Sequence, residues 1–153
     1  MDFSSGTTRF AQYLALTSST LKDIGKLKSA NMGKYGLSAM HTDCLWHLYQ
    51  AGSKGLTQRA LLDLEQVDRA QISRVMRELA AAGYVEQSPG EGAYKRPYRL
   101  TDTGARIAAE VHGLILEINH FVSRDIPPED LAVFYNTLRT IATNLNKAVK
   151  YYT

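Results

Sequence analysis

Hydrophobic side chains recur at three- and four-residue steps along most of this 153-residue chain, the spacing that gathers apolar groups on one face of an α-helix. The sharpest instance is the segment from Asp68 to Leu79, where Ile72, Val75, Met76 and Leu79 make one stripe. Asp68 is placed to accept a bond from a first-turn N–H, and Gln71 sits where a capping box would put it, so a helix is predicted to start near Arg69. A shorter helix over Gln58 to Leu64, capped by Thr57, precedes it. Its Leu61, Leu62 and Leu64 are expected to pack on the longer helix, with Glu65-Gln66-Val67 as the tight turn between them. Gly83 supplies a left-handed cap, after which Tyr84-Val85-Glu86-Gln87 reads as a strand. Ser88-Pro89-Gly90-Glu91-Gly92 breaks that strand, and a second is predicted from Arg96 to Leu100 with Pro97 on an edge.

Longer amphipathic stretches flank this segment. The first, near Thr8 to Ala30, offers Phe10, Leu14, Leu21, Ile24 and Leu27, with Lys22, Lys26 and Lys28 on a solvated face. A helix from Ser38 to Ala51 follows, with Leu37 before the cap, Cys44, Leu45 and Leu48 inside, and Gly52 at its end. Asp102 to Arg124 carries Ile107, Val111, Leu114, Ile115, Ile118, Phe121 and Val122 over about 34 Å. The last stretch has Leu131, Phe134, Leu138, Ile141, Leu145, Ala148 and Tyr152 in three-four alternation, and Pro127-Pro128-Glu129-Asp130 marks its start.

Composition narrows the class. With 44% hydrophobic residues and no apolar run near the ~20 residues that span a bilayer, the chain reads as a single soluble domain and not a membrane protein. Met1 to Gly6 lacks the basic-then-apolar order of a signal peptide, and there is one cysteine, so a cytoplasmic location is expected. The net charge of +3 is spread along the chain and by itself indicates no partner. Placement matters more, because counterion release depends on which cations touch phosphate.

Two short helices, a turn, a longer helix and a β-hairpin follow the order of a winged helix-turn-helix. The fold expected is mainly α with a small β-hairpin wing: a winged helix-turn-helix over 37–101, flanked by helical dimerisation regions over 1–36 and 102–153, all in one intertwined domain. Opposite the apolar stripe stand Ala70, Ser73, Arg74 and Arg77. Small residues allow close approach to base edges, and Arg can fork onto guanine or grip phosphate. Gln71 can read adenine. The alternative for this face is a solvated helix with Arg74 paired to Glu78. A glycine-rich hairpin tip bearing Tyr94, Lys95 and Arg96 suits a minor groove. The candidate contacts with double-stranded DNA are thus Thr57, Gln58, Arg69, Ala70, Gln71, Ser73, Arg74, Arg77, Tyr94, Lys95 and Arg96.

Leu56-Thr57-Gln58, Asp68-Arg69, Ile72-Ser73-Arg74, Leu79, Gly83-Tyr84-Val85-Glu86 and Leu100-Thr101-Asp102-Thr103-Gly104 resemble the MarR family of bacterial transcription regulators. The resemblance implies a ligand-responsive repressor acting as a homodimer on an inverted-repeat operator. The apolar seams at Phe10, Leu14, Leu131, Phe134, Leu138, Ile141 and Leu145 are themselves read as dimerisation surfaces, with intramolecular core as the alternative for any single residue. The resemblance also implies a crevice for a small-molecule effector, for which Met40, Trp46, Tyr49 and His112 are the lining candidates, with ordinary core packing as their alternative. Two departures stand out. The family's wing-tip Asp and Arg are replaced by Glu91-Gly92-Ala93-Tyr94, with cations displaced to Lys95 and Arg96, and a turn position that is often Gly is Gln66.

His41, Cys44 and His47 raise a metal site, but His41 and His47 point about 120° apart around a helix, which does not suit one ion, so neither a metal nor another cofactor is expected. One branch of the resembling family senses hydroperoxides with a cysteine in its first helix. Cys44 lies in a later apolar helix without a neighbouring cation and is expected to be an inert thiol. No nucleophile triad, phosphate-cradling loop or paired carboxylates point to an enzyme. The rival readings are a winged-helix module for protein partners and a metal- or redox-sensing regulator of the same fold.

Overall fold

The computed structural model describes residues 6–65, 67–88 and 96–153. In order the elements are α1 (Gly6–Met32), α2 (Ala39–Ala51), α3 (Gln58–Glu65), α4 (Arg69–Ala81), β1 (Val85–Gln87), β2 (Tyr98–Leu100), α5 (Asp102–Ser123) and α6 (Pro128–Tyr152), with single 3-10 turns at Gly33–Tyr35 and Gly52–Lys54. The chain divides into two compact units, parting at Gly113 and Leu114.

In the first unit, α4 supplies the centre of the core. Ile72, Val75, Met76 and Leu79 are all buried, together with Leu45 and Leu48 of α2, Leu61 of α3, Val85 of β1, and Ile107, Ala108 and Val111 of α5. Each buried Val, Leu, Ile or Met side chain contributes roughly 1.5–3 kcal/mol by leaving water. Leu64 departs from expectation. It is 50% exposed, because in an eight-residue helix only one narrow stripe faces α4, and Leu61 holds it.

The predicted caps form. Asp68 accepts from the Gln71 N–H at 2.8 Å, and Thr57 Oγ1 accepts from the Ala60 N–H at 3.2 Å. Helix α4 ends with Gly83 at φ 74°; the Gly83 N–H reaches Ala80 O and the Tyr84 N–H reaches Leu79 O, both at 3.0 Å. This pair of bonds is the Schellman closure, which a glycine permits without a Cβ penalty.

The wing strands are shorter than predicted and pair antiparallel, Val85 with Leu100, Glu86 with Arg99 and Gln87 with Tyr98. Pro97 sits just outside β2, where its carbonyl accepts from the Ser88 N–H at 3.0 Å. A third partner was not foreseen: Leu56 exchanges two bonds with Tyr98, at 3.0 and 2.8 Å. At Tyr98, therefore, β2 lies between two neighbours and is not an edge. Behind this sheet, the Thr101 hydroxyl donates to Gly83 O at 2.6 Å and accepts from the Gly104 N–H at 3.0 Å. Gly104 is buried, and a Cβ there would stand 1.8 Å from Tyr84 O. Only glycine lets the first turn of α5 approach so closely.

The second unit holds the remainder of α5 and all of α6. Pro128 occupies the first turn of α6 and Glu129 and Asp130 follow it, as the positive helix end favours. No residue of α6 is buried. Leu131, Leu138, Ile141 and Ala148 are half-buried, while Phe134, Leu145 and Tyr152 are exposed. No described helix is long and apolar enough to cross a membrane.

Candidate nucleic-acid interface

With its apolar stripe committed to the core, α4 turns Asp68, Ala70, Gln71, Arg74 and Arg77 outward, where they line a recess of about 540 Å³. Four of the predicted contacts therefore share one surface. Ala70 leaves the backbone accessible near the positive helix end, and the two guanidinium groups follow one and two turns later. Arg69 is exposed at the start of the helix, and Ser73 is half-buried beside the recess. The Ser73 carbonyl accepts from Arg77 Nε at 3.3 Å. Thr57 and Gln58 stand at the start of α3, both half-buried, with the Thr57 hydroxyl engaged in capping. Tyr94 and Lys95 lie outside the described residues, so the wing tip is not part of the geometry. Arg96, at the base of the hairpin, is half-buried and its carbonyl accepts from Gln87 Nε2 at 3.2 Å.

The proposed competition for Arg74 is only weakly present. Its Nε is 4.0 Å from Glu78 Oε1, whereas Glu78 Oε2 is 2.8 Å from His41 Nε2. His41 in turn completes the capping box of α2: Ser38 Oγ accepts from the His41 N–H at 3.4 Å and the Ser38 N–H donates to Nδ1 at 3.1 Å. Sequence reasoning missed this tie, since nothing local links His41 to Glu78.

His47 has a carboxylate of its own, with Nε2 2.8 Å from Glu65 Oε1. Burial and the charge of Asp43 push the Glu65 carboxyl up, against the opposing pull of His47 and Lys28. Lys28 pairs with Asp43. Cys44 is fully buried between these groups, and burial, reinforced by the Glu65 and Asp43 charges, pushes its thiol up to about 12. Among the described residues no group of three His, Cys, Asp or Glu could hold a metal ion.

Of the four ligand candidates, three come together as a stack. His112 lies 5.2 Å from Trp46 and 5.3 Å from Tyr49, ring centre to ring centre, and Trp46 and Tyr49 are 6.3 Å apart. Met40 is half-buried near the start of α2. Nearby, Glu110 accepts from the Tyr35 hydroxyl at 2.6 Å and from Lys34 at 3.0 Å, fastening the turn after α1 to α5. Of the dimerisation candidates, Phe10 and Leu14 on α1 are exposed like Phe134 and Leu145, and Leu131, Leu138 and Ile141 are half-buried.

Residues 35–93 match the model of the MarR family. Among solved structures, the S. aureus MepR–DNA complex is similar at 16% identity, with a TM-score of 0.77 over 87% of this chain and 97% of that one. A MarR family transcription regulator reaches a TM-score of 0.80 at 19% identity, over 94% of this chain and 95% of its own. Wild-type MarR from E. coli, in its apo form, gives 0.63 at 19% identity, over 83% and 94%. No curated protein matches the chain.

Proposed function

From the premise that this chain belongs, through residues 35–93, to the MarR family, we propose that it is a sequence-specific transcription regulator that binds double-stranded DNA. The observation that carries the reading is the recess on α4, where Ala70, Gln71, Arg74 and Arg77 converge on a surface whose backbone is held by the Asp68 cap and the buried stripe behind it. A groove-reading helix needs this division, rigid on one side and hydrogen-bonding on the other. The MepR structure that resembles it was solved with DNA, which supports the same use here.

The finer reading is a ligand-responsive repressor that works as a homodimer on an inverted repeat. A 25-residue helix with no buried residue has an apolar seam that a second copy would cover, and two-fold symmetry would bring two α4 helices to successive major grooves. The Trp46–Tyr49–His112 stack is the corresponding place for a flat aromatic effector. Fluorescence anisotropy tests the DNA reading, using a labelled duplex from upstream of the protein's own gene against a scrambled duplex across a salt series. Selective binding that weakens steeply with salt is expected. Equal, weak binding to both, repeated with duplexes selected from random DNA, would reject it in favour of a protein-binding winged helix.

A further inference from the structure

The outward row at the start of α4 runs Asp68, Gln71, Arg74, Arg77 at three-residue steps, and all four line the recess. Their hydrogen-bonding character changes along the row. An ionised carboxylate only accepts, the Gln71 amide both accepts and donates, and the two guanidinium groups only donate. Each step advances about 4.5 Å along the helix, close to the roughly 3.4 Å between stacked base pairs. The cations of Arg74 and Arg77 suit guanine edges and phosphates. An anion at Asp68 suits neither, because guanine offers only acceptors in the major groove and phosphate repels a carboxylate.

Capping does not require that charge. Asp68 Oδ1 accepts from the Gln71 N–H at 2.8 Å, a bond that serine or asparagine makes as well at the start of a helix. The bond uses one of the roughly four acceptor sites of a carboxylate. Asp68 is exposed, so its second oxygen can meet a donor that enters the recess. In the major groove the donors are the exocyclic amino groups of cytosine and adenine. Adenine N6 stands beside the N7 acceptor, which opposes a carboxylate, whereas cytosine presents its N4 amino group without a neighbouring acceptor.

We infer that Asp68 is a specificity-determining residue: while Oδ1 holds the first turn of α4, the second carboxylate oxygen accepts from the N4 amino group of a cytosine facing that turn. This rests on the DNA-binding reading above and adds to it one base and the acceptor that selects it. The carboxylate also acts against wrong sites. Where the cytosine is replaced, its charge faces an acceptor edge with no proton to share, so one side chain favours the correct base and opposes the others.

The test is parallel selection from random duplex DNA by wild type, Asp68→Ser and Asp68→Asn, both of which keep a capping side chain, followed by anisotropy on the selected duplexes. Wild type should enrich a cytosine next to, or one pair removed from, the base pair whose preference is lost in Gln71→Ala. It should prefer that cytosine over thymine by about tenfold, as one base contact gives. Asp68→Ser should lose the preference at this position and keep it at the others. Asp68→Asn, which turns its amide NH2 outward when its oxygen caps, should move the preference to thymine or guanine, whose edges accept. Replacing the cytosine by 2-pyrimidinone, which lacks only the amino group, should cost wild type about tenfold and Asp68→Ser nothing. Selected sites that are the same for all three proteins overturn the inference, as does a loss spread evenly over every position, which would make Asp68 a helix cap alone. A wild-type affinity that ignores the missing amino group overturns it even if neither variant folds. If wild type enriches no sequence, the DNA-binding reading has failed and this inference falls with it, whereas an enriched site indifferent to Asp68 strikes this inference only.

Discussion

Helices α4 and α6 are built on the same three-four spacing of apolar residues, yet α4 buries four residues among its 13 while α6 buries none of its 25. The spacing identifies the apolar face but not what covers it. Around α4 the chain supplies its own cover, with Leu45, Leu48, Leu61 and Val85 meeting Ile72, Val75, Met76 and Leu79 in one core. Phe134 remains 55% exposed on α6, as expected for a surface completed by another molecule. A second copy of the chain is the cover we propose.

The strongest way to break this comparison is to charge the seam. Leu138→Glu with Ile141→Glu should convert a dimer to a monomer at micromolar concentration, read by analytical ultracentrifugation, while the α4 core stays folded by circular dichroism. A wild-type protein already monomeric would remove the contrast. On the other side, Ile72→Ala should lower the free energy of unfolding by about 2–5 kcal/mol in a urea titration, since it opens a cavity in a packed core. The same core carries a pH signature. The Cys44 thiol is pushed up from 9.0 to about 12, so between those values the unfolded chain releases a proton that the folded chain keeps, and stability falls as pH rises. Wild type should therefore lose on the order of 1 kcal/mol per pH unit relative to Cys44→Ala above pH 9. Arg74→Ala, on the outward side of α4, should leave thermal unfolding unchanged but cost about 1–3 kcal/mol of DNA affinity and relax sequence preference. The smallest effect belongs to the surface. The Tyr35 phenol is held above its usual range chiefly by its bond to Glu110, so Glu110→Ala should lower its titration midpoint in a difference absorbance measurement and change little else.

Where local chemistry decides the structure, the residues were legible in advance. Asp68, Thr57 and Gly83 act within a few positions of themselves, and each forms the cap its type and place suggest. The outward set on α4 follows from the inward set, so the recess could be named from the stripe alone. What could not be read depends on segments far apart in the chain. Leu56 pairs with Tyr98 across 42 positions as a single residue, too short to show any period. His41 and His47 look like a metal pair when only α2 is considered, but each is occupied by a carboxylate from another helix, Glu78 or Glu65. Leu64 failed for a simpler reason, being the one apolar residue too many for so short a helix.

The contact at Gly104 has a mechanical meaning. Tyr84 is bonded back to Leu79 at the end of α4, Thr101 is bonded to both Gly83 and Tyr84, and Gly104 leaves no room for a methyl group against the Tyr84 carbonyl. Such a joint is a weld and not a hinge. The first turn of α5 cannot slide past the end of α4 without breaking the two bonds from Thr101 to Gly83 and Tyr84, so the two helix ends are held as one piece.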